Sequence, residues 1–546
     1  MEHKHRVIFP QYARGRDGIE IETGSTLWDH AWALGIQISS ACGGRGQCGK
    51  CVVRVDRGTE NLEAKTEAER GFSLAEDERL ACQARVASGD RDIYVFVKAA
   101  GEYTILTESI EGRVPLDPFT RREGDYVFLD GAQRRAMGKY EGELLGLALD
   151  VGTTTLVAQV LDMESGEVVV TSACKNPQAA YGDDVISRIG YADQHQDGLV
   201  RLQMVVVEAV NAMLRDAEDS ENRKLRDHIY EAVVVGNPTM RNLFCGRSVH
   251  SLGTSPYEPA DTSPINERAR HLGLQIHPDG NVYGVPLVGG QVGADCLAMI
   301  LACDLYKGQR PSMAVDIGTN GEVAVGNEGR ILAASNAAGG AFEGATVSCG
   351  TGAIQGAIQN VQIEDGQVRY ETIGGMPPVG ICGSGLIDLL AGMLREGIID
   401  SSGRFSASHR EPNEFIVALD GKKIGITQKD INELRLAKAG SALNQQTLMA
   451  KYGVDLDGLD RIYLAGGFGH YVDLDSAVAI GILPNERNKL AKIGNGALTG
   501  ARQMLLCRQR RADAERIAPR IEHVKLSDEE DFLDRYIQQL YLRRWP

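Results

Sequence analysis

Leu147-Ala-Leu-Asp150-Val-Gly152-Thr153-Thr154-Thr155 runs straight into Leu156-Val-Ala-Gln-Val-Leu161. An apolar strand ends on a carboxylate, turns at a glycine followed by hydroxyls, and becomes a second strand. Backbone N–H groups exposed at such a turn form a concave anion site, the hydroxyls add donors, and the strand-end carboxylate can hold Mg²⁺ or its water shell. The pattern returns as Met313-Ala-Val-Asp316-Ile-Gly318-Thr319-Asn320-Gly321-Glu322. One Asp-x-Gly-Thr turn also closes ordinary strands; two matched turns imply an internal duplication of a phosphate-holding hairpin.

The stretches around these hairpins have the same character. Tyr181-Gly-Asp183-Asp184-Val-Ile-Ser-Arg188-Ile and the helically spaced run Leu199 to Leu214 continue the first repeat. Ala232-Val-Val-Val-Gly236-Asn237-Pro238-Thr239 is a buried strand that delivers Asn237 and Thr239 to a loop. There they either orient a water or phosphate or simply mark a turn. Gly289-Gly-Gln-Val-Gly293-Ala-Asp295, Gly339-Gly-Ala-Phe-Glu343-Gly344 and Gly380-Ile-Cys382-Gly-Ser-Gly385 are small-residue turns leading into helices, whose N-termini suit anionic groups. Arg461-Ile-Tyr-Leu-Ala-Gly466-Gly467-Phe-Gly469 ends a further strand in bare backbone, against which an adenosine can lie. Asn237, Asp295 and Glu343 are candidates to activate an attacking water.

The eleven cysteines are unevenly placed. Cys42, Cys48 and Cys51 share a loop with Gly43, Gly44, Gly46 and Gly49, and Cys82 follows after thirty intervening residues. Thiolates packed this closely need a metal to offset their repulsion, and the glycines let the loop donate amides to sulfur. A zinc site ordinarily shows two separated Cys-x2-Cys pairs, and the second pair is missing. Three cysteines sharing a loop plus a remote fourth resembles the plant-type or adrenodoxin-type 2Fe-2S ferredoxins. The flanks agree: a hairpin over Arg6 to Glu22, a capped helix over Leu27 to Leu34, and strands at Val52 to Val55 and Ile93 to Val97 read as a β-grasp. His30 reads as a residue on the surface of that helix. The other seven cysteines show no ligand spacing and read as small buried hydrophobes.

Residues 100–144 lose periodicity and read as a linker or small linking domain, either flexible or a strap packed on its neighbour. The basic run Arg508-Gln-Arg510-Arg511 reads as a solvated helix face. A formal charge of −16 argues against nucleic acid or an anionic membrane as partner. With no signal-peptide core at Met1-Glu-His-Lys-His-Arg and no long apolar run, a cytoplasmic protein is expected.

Two phosphate hairpins, a connecting strand and a Gly-Gly turn, in that order, resemble the actin, sugar kinase and Hsp70 superfamily over about residues 145 to 500. That resemblance implies two ribonuclease-H-like domains clamping Mg-ATP. Together with the cysteine domain and the strings DIGTNGE, AGGAFEGA, CGSGLIDLL and LAGGFG, the whole chain resembles the reductive activators of corrinoid proteins.

The resemblance implies an α+β multidomain protein. Its parts would be a β-grasp 2Fe-2S domain at 1–99, a linker at 100–144, and ribonuclease-H-like ATPase domains at 145–312 and 313–546. It further implies cluster ligands Cys42, Cys48, Cys51 and Cys82. Asp150 and Asp316 become the catalytic carboxylates. ATP and Mg²⁺ contacts fall to Gly152, Thr153, Thr154, Asn237, Gly318, Thr319, Asn320, Gly466 and Gly467. The implied activity is ATP-dependent return of one electron to Co(II) of a transiently bound corrinoid protein, restoring Co(I) for methyl transfer. A ferredoxin or flavin reductase would supply the electron, and a homodimer is left open. A redox-gated small-molecule kinase and an Hsp70-like nucleotide-dependent clamp are the rival functions that the fold permits.

Overall fold

The computed structural model describes residues 5–10, 18–34, 36, 38, 44–47, 49, 51–72, 74–88, 91–97, 114–131, 134–318, 320–337, 339–344, 346–409, 413–419, 423–466, 471–529 and 531–545. The chain divides into two compact units, one of residues 1–102 with 175–195 and one of residues 103–174 with 196–546.

In the first unit a five-stranded sheet has the order Gly18–Glu20, Arg6–Ile8, Ile93–Val97, Val52–Arg57, Glu78–Leu80. Only Arg6–Ile8 and Ile93–Val97 pair in parallel, which gives the mixed sheet of a β-grasp. The helix Leu27–Ala33 starts at a capping box between Thr26 and Asp29 and packs Leu27 and Ala31 on Val7, Val53 and Val95. His30 departs from its expected place on the surface, being only 3% exposed. Its Nε2 accepts from the Glu22 amide at 2.9 Å and its Nδ1 lies 2.7 Å from the Thr26 carbonyl, so the ring ties the hairpin to the helix. Residues 175–195 belong to this unit although the sequence reads them as part of the first repeat. They form a short turn at Pro177–Ala180 and a helix at Val185–Gln194.

The second unit contains both repeats. The first sheet runs Val168–Lys175, Thr155–Asp162, Leu145–Val151, Ile229–Val235, Asn281–Gly284, with Ile265–Arg268 on its edge. The second runs Ile331–Ala337, Asn320–Gly326, Ser312–Asp316, Ile462–Ala465, Leu490–Gly494, with Ile521–His523 on the opposite edge. In each, a three-strand antiparallel meander is followed by parallel strands, the ribonuclease-H-like order. Leu145–Val151 reads as one apolar run because it lies in the middle of its sheet and is buried on both faces. The helices Ala294–Ala302 and Gly496–Leu506 pack across the junction of the repeats, where a Cβ on Gly500 would sit 2.2 Å from the Ala298 carbonyl oxygen.

Within 114–144 the chain forms a three-stranded sheet, Thr120–Glu123, Tyr126–Asp130 and Arg134–Lys139. Val127, Leu129 and Met137 enter the same core as Ala148 and Val233, so this part is a packed strap. Its clasp includes the basic run, correcting the solvated-face expectation for Arg511. That residue is 4% exposed and pairs with buried Glu231 at 2.8 Å, while Thr120 donates to the other Glu231 oxygen at 2.8 Å. Among the described residues no helix is long and apolar enough to cross a membrane.

Candidate functional site

The cluster end of the first unit is built by strand pairing. Val52 pairs with Leu80, and the Ala81 amide donates to the Cys51 carbonyl at 2.9 Å, which sets Cys51 and Cys82 side by side. Both are buried, and their sulfurs stand 3.2 Å apart, too far for a disulfide. The Cys82 thiol is held down to about 7, first by the Cys51 thiol and, against burial, by Gln83 and the Gly46 amide. Gln83 also bonds the Gly44 carbonyl at 2.8 Å, bracing the loop. Gly46 and Gly49 have left-handed backbone, and a Cβ there would come within 2.9 Å of Ala68 and 2.7 Å of Phe72, so glycine alone fits this wrapping. A thiolate-forming pair ringed by amide donors suits an iron–sulfur cluster. Cys42 and Cys48 lie outside the described residues. Of the remaining cysteines, 245, 296, 303, 382 and 507 are buried, as read, and 174 and 349 partly so.

In the second unit the two hairpins bring their carboxylates into one place. The first turn is closed by the Gly152 amide on the Thr155 carbonyl at 3.0 Å. Thr153 is buried and its hydroxyl accepts from Asn237 Nδ2 at 2.9 Å, while Asn237 Oδ1 caps the helix Pro238–Phe244 through the Met240 amide at 3.0 Å. One end of the Asn237 amide thus braces the turn and the other caps the helix. At the second turn, Gly466 is left-handed, and a Cβ on it would lie 2.7 Å from an Asp316 carboxylate oxygen. That turn therefore approaches Asp316 closely, whereas Gly467 and Thr319 lie outside the described residues. Glu343 flanks Gly318, its oxygen 3.4 Å from where a Cβ would be.

The carboxylates are held far from their usual range. Burial raises Asp150 to about 6, Asp295 to about 7 and Asp316 to about 8. For Asp316 the charges of Asp150, Asp295 and Glu343 add to burial. Glu322, which accepts from Ser335 at 3.1 Å, is pushed up by burial and by Asp295 and Asp316. Such mutual repulsion is what a divalent cation offsets. Among the described residues no three metal-binding side chains converge. Mg²⁺ ordinarily keeps several waters and takes one or two carboxylates plus phosphate oxygens.

One functional contact is absent from the sequence reading. Asn495 Nδ2 donates to Asp150 Oδ2 at 2.9 Å while its Oδ1 caps helix Gly496–Leu506 at the Leu498 amide, 2.8 Å away. The signal was available in Gly494-Asn495-Gly496, which repeats the strand, glycine, asparagine, helix pattern of Gly236-Asn237-Pro238.

Fold and sites together define an iron–sulfur domain fused to an ATPase of the actin, sugar kinase and Hsp70 type. Family models agree: a 2Fe-2S iron-sulfur cluster binding domain matches 14–87, the RACo middle region matches 145–308, and the C-terminal domain of RACo, the ASKHA domain, matches 310–545. The chain is 31% identical to the corrinoid activation enzyme RamQ of Eubacterium limosum, covering 97% of this chain and 98% of that one. It is 27% identical to the [Co(II) methylated amine-specific corrinoid protein] reductase of Methanosarcina barkeri over 73% of this chain and 77% of that one. A solved reductive activator for corrinoid, iron-sulfur protein superposes with a TM-score of 0.75 at 30% identity, covering 99% of both chains. The chain belongs to the family of reductive activators of corrinoid proteins.

Proposed function

We propose that this chain is an ATP-dependent reductive activator that passes one electron from its 2Fe-2S cluster to Co(II) of a corrinoid protein, restoring Co(I). The observation that carries the reading is a buried thiol pair fit for a cluster in the same chain as a carboxylate-lined double phosphate hairpin. When bound, the cluster supplies the electron, and Mg-ATP supplies the free energy of its hydrolysis.

The residues have separate tasks. Cys51 and Cys82, with Cys42 and Cys48, hold the cluster. Gly46 and Gln83 donate toward sulfur. Asp316 is the principal cation seat, with Asp150 opposite it. The turns Gly152 to Thr154 and Gly318 to Asn320 take the phosphates, Asn237 stiffens the first of them, and Gly466 with Gly467 receives the adenosine. Residues 1–99, 100–144, 145–312 and 313–546 serve as cluster domain, linker and two ATPase domains.

A plant-type 2Fe-2S centre lies near about −400 mV, and each ~59 mV of uphill gap costs tenfold in a one-electron equilibrium. ATP makes an uphill step run only if its bound state prefers one arrangement of the protein over another. Asn495 provides a place for that preference, because it sits on the second repeat and grips Asp150 of the first. The electron comes from a ferredoxin or flavin reductase, and the protein works in the cytoplasm, either alone or as a homodimer.

The test mixes the reduced protein anaerobically with a Co(II) corrinoid protein and follows Co(I) absorbance. Co(I) is expected only with Mg-ATP, and Cys51→Ser and Asp316→Ala should each abolish it. Hydrolysis of ATP with the corrinoid unchanged across several candidate partners would remove the redox assignment.

A further inference from the structure

The basic run Arg508-Gln-Arg510-Arg511 opens the helix Arg508–Ile517, and its three arginines serve two different neighbours. One neighbour is the strap. Arg508 pairs with Asp117 at 2.9 Å and donates to the Pro118 carbonyl at 3.1 Å. Backbone joins the same parts, the Asp117 amide donating to the Leu506 carbonyl at 2.9 Å and the Arg508 amide to the Asp117 carbonyl at 2.8 Å. Arg511 reaches buried Glu231, the acceptor of Thr120, and its guanidinium lies 4.5 Å from the centre of the Phe119 ring and 4.1 Å from that of Tyr283. Arg510 serves the other neighbour. It pairs with Asp304 and donates to the Tyr306 hydroxyl at 2.9 Å, while Tyr306 donates to Asp513 of the same helix at 2.7 Å.

Both neighbours lead back to the nucleotide site. Asp304 and Tyr306 directly follow the helix Ala294–Ala302, whose first turn holds Asp295. Leu506 ends the helix Gly496–Leu506, whose cap Asn495 grips Asp150, and the 11 residues of that helix span about 16 Å. The two helices meet in direct backbone contact at Gly500 and Ala298. At Cys507 the backbone is extended, so the helix Arg508–Ile517 starts afresh and lies against the far ends of both. A buried ion pair is weak evidence for stability, because taking two charges out of water offsets their attraction; its best-attested use is to fix one register. Here Thr120 of the strap, Glu231 of the first-repeat sheet and Arg511 of the C-terminal helix meet in a single clasp, which sets the register of all three parts.

We propose, on the ATPase reading above, that the helix Arg508–Ile517 carries the nucleotide state to the strap, with Arg511 as the positioning residue of that link. Packed helices move by small shear steps between discrete arrangements. A shift at Asp150 or Asp295 when nucleotide binds displaces the starts of the two helices, and the arginines at their far ends pass it to residues 117–120. What makes this a physical link is the contiguous, closely packed chain of contacts, biased at one end by the ligand. In the chain the strap stands between the cluster domain and the first ATPase strand, so a strap that answers to nucleotide puts the tether of the cluster domain under the control of ATP.

The test is amide hydrogen exchange of the full-length chain with and without Mg-ATP, read on the strap strands Tyr126–Asp130 and Arg134–Lys139, beside phosphate release from the same samples. In the wild type, Mg-ATP should change exchange in both strands several-fold. The triple variant Thr120→Val, Glu231→Met, Arg511→Met replaces the clasp by apolar groups of similar volume, an exchange that is often neutral for stability. It should keep the wild-type thermal midpoint and rate of phosphate release while the strap no longer responds to Mg-ATP. Should that variant fail to fold, Arg508→Ala decides: its side chain is partly exposed, and losing the contacts to Asp117 and Pro118 should shrink the response. A strap that exchanges alike with and without Mg-ATP in a wild-type chain that hydrolyses it overturns the proposal, as does a full response in the triple variant or, in its place, in Arg508→Ala. Loss of phosphate release in proportion to the loss of response also overturns it, since the clasp would then only shape the nucleotide site. A wild-type chain that neither binds nor hydrolyses ATP sinks the ATPase reading and this proposal with it.

Discussion

Asp150 and Asp316 end equivalent strands of the two sheets and lead into turns of nearly the same sequence, but their surroundings differ. Asp150 accepts a hydrogen bond from Asn495, which favours its ionised form and leaves it at about 6 despite burial. Around Asp316 the charges of Asp150, Asp295 and Glu343 add to burial and raise it to about 8; the repulsion between Asp150 and Asp316 is mutual, so what sets Asp150 apart is its Asn495 donor. In the mechanism proposed above the duplication serves two uses: the first carboxylate as a strut tied to the other repeat through Asn495, and the second as the cation seat.

The strongest way to break this comparison is to neutralise each carboxylate in turn. Asp316→Asn should cut ATP hydrolysis by about 100-fold or more, the scale seen when a charge-stabilising group is lost from an active site. Asp150→Asn should cost markedly less, because the amide keeps a polar contact with Asn495. Phosphate release at saturating Mg-ATP measures both. Equal losses would mean that the turns share the metal evenly.

The pH dependence follows from the same carboxylates. In the metal-free folded protein Asp316 binds its proton more tightly than in the unfolded chain, so its protonation stabilises the fold at low pH. That contribution is fully present below about 3.8 and is lost as pH rises through about 8. Thermal midpoints of the metal-free protein should fall across this window. Mg²⁺ competes with the same proton, so Mg-ATP affinity should rise about tenfold per pH unit for each proton displaced, up to the Asp316 range. Calorimetry in buffers of different ionisation enthalpy would count the protons released, and a count near zero would discard the cation seat.

The hairpins were legible in the sequence because each is a local pattern, a strand, a carboxylate and a glycine turn within ten residues. The cysteine spacing was legible for the same reason. What sequence could not show are contacts made through space. Asn495 is far from Asp150 in the chain, and only closure of the two repeats brings them to 2.9 Å. His30 looked like a helix-surface residue because its partners, Glu22 and Thr26, are backbone groups that leave no pattern. The strap over Thr120–Glu123 was missed as a sheet because its outward arginines hide the alternation. In the folded chain they are held by cross-strand pairs such as Arg121 with Asp130 at 2.8 Å and Arg134 over the Phe128 ring.

Asn495→Ala should separate hydrolysis from electron delivery. It leaves a part-buried Asp150 oxygen without its donor, which costs about 1 kcal/mol, deletes the cap on helix Gly496–Leu506, and removes a tie between the repeats. ATP hydrolysis should persist within several-fold of wild type, while Co(I) formed per ATP falls by about tenfold, in keeping with a loss of ~1.4 kcal/mol of coupling. Asn495→Asp would place a second carboxylate against the first and should be worse. If both variants lower hydrolysis and Co(I) yield in the same proportion, Asn495 only shapes the site.

The smallest expected effect belongs to the brace on the first turn. Thr153→Ala deletes the acceptor for Asn237 Nδ2 but leaves the cap from Asn237 Oδ1 to Met240 intact. The helix should keep its start, and the loss is that of one buried hydrogen bond, about 1 kcal/mol, or roughly fivefold in Mg-ATP affinity. Thr153→Ser keeps the hydroxyl and should restore most of it. Asn237→Ala removes the brace and the cap together and should cost more than Thr153→Ala, with the excess appearing as a lower thermal midpoint in the absence of nucleotide. If Thr153→Ala instead matches Asp316→Asn in its effect on phosphate release, the first turn contacts the reacting phosphate as closely as the second, and the division between strut and cation seat fails.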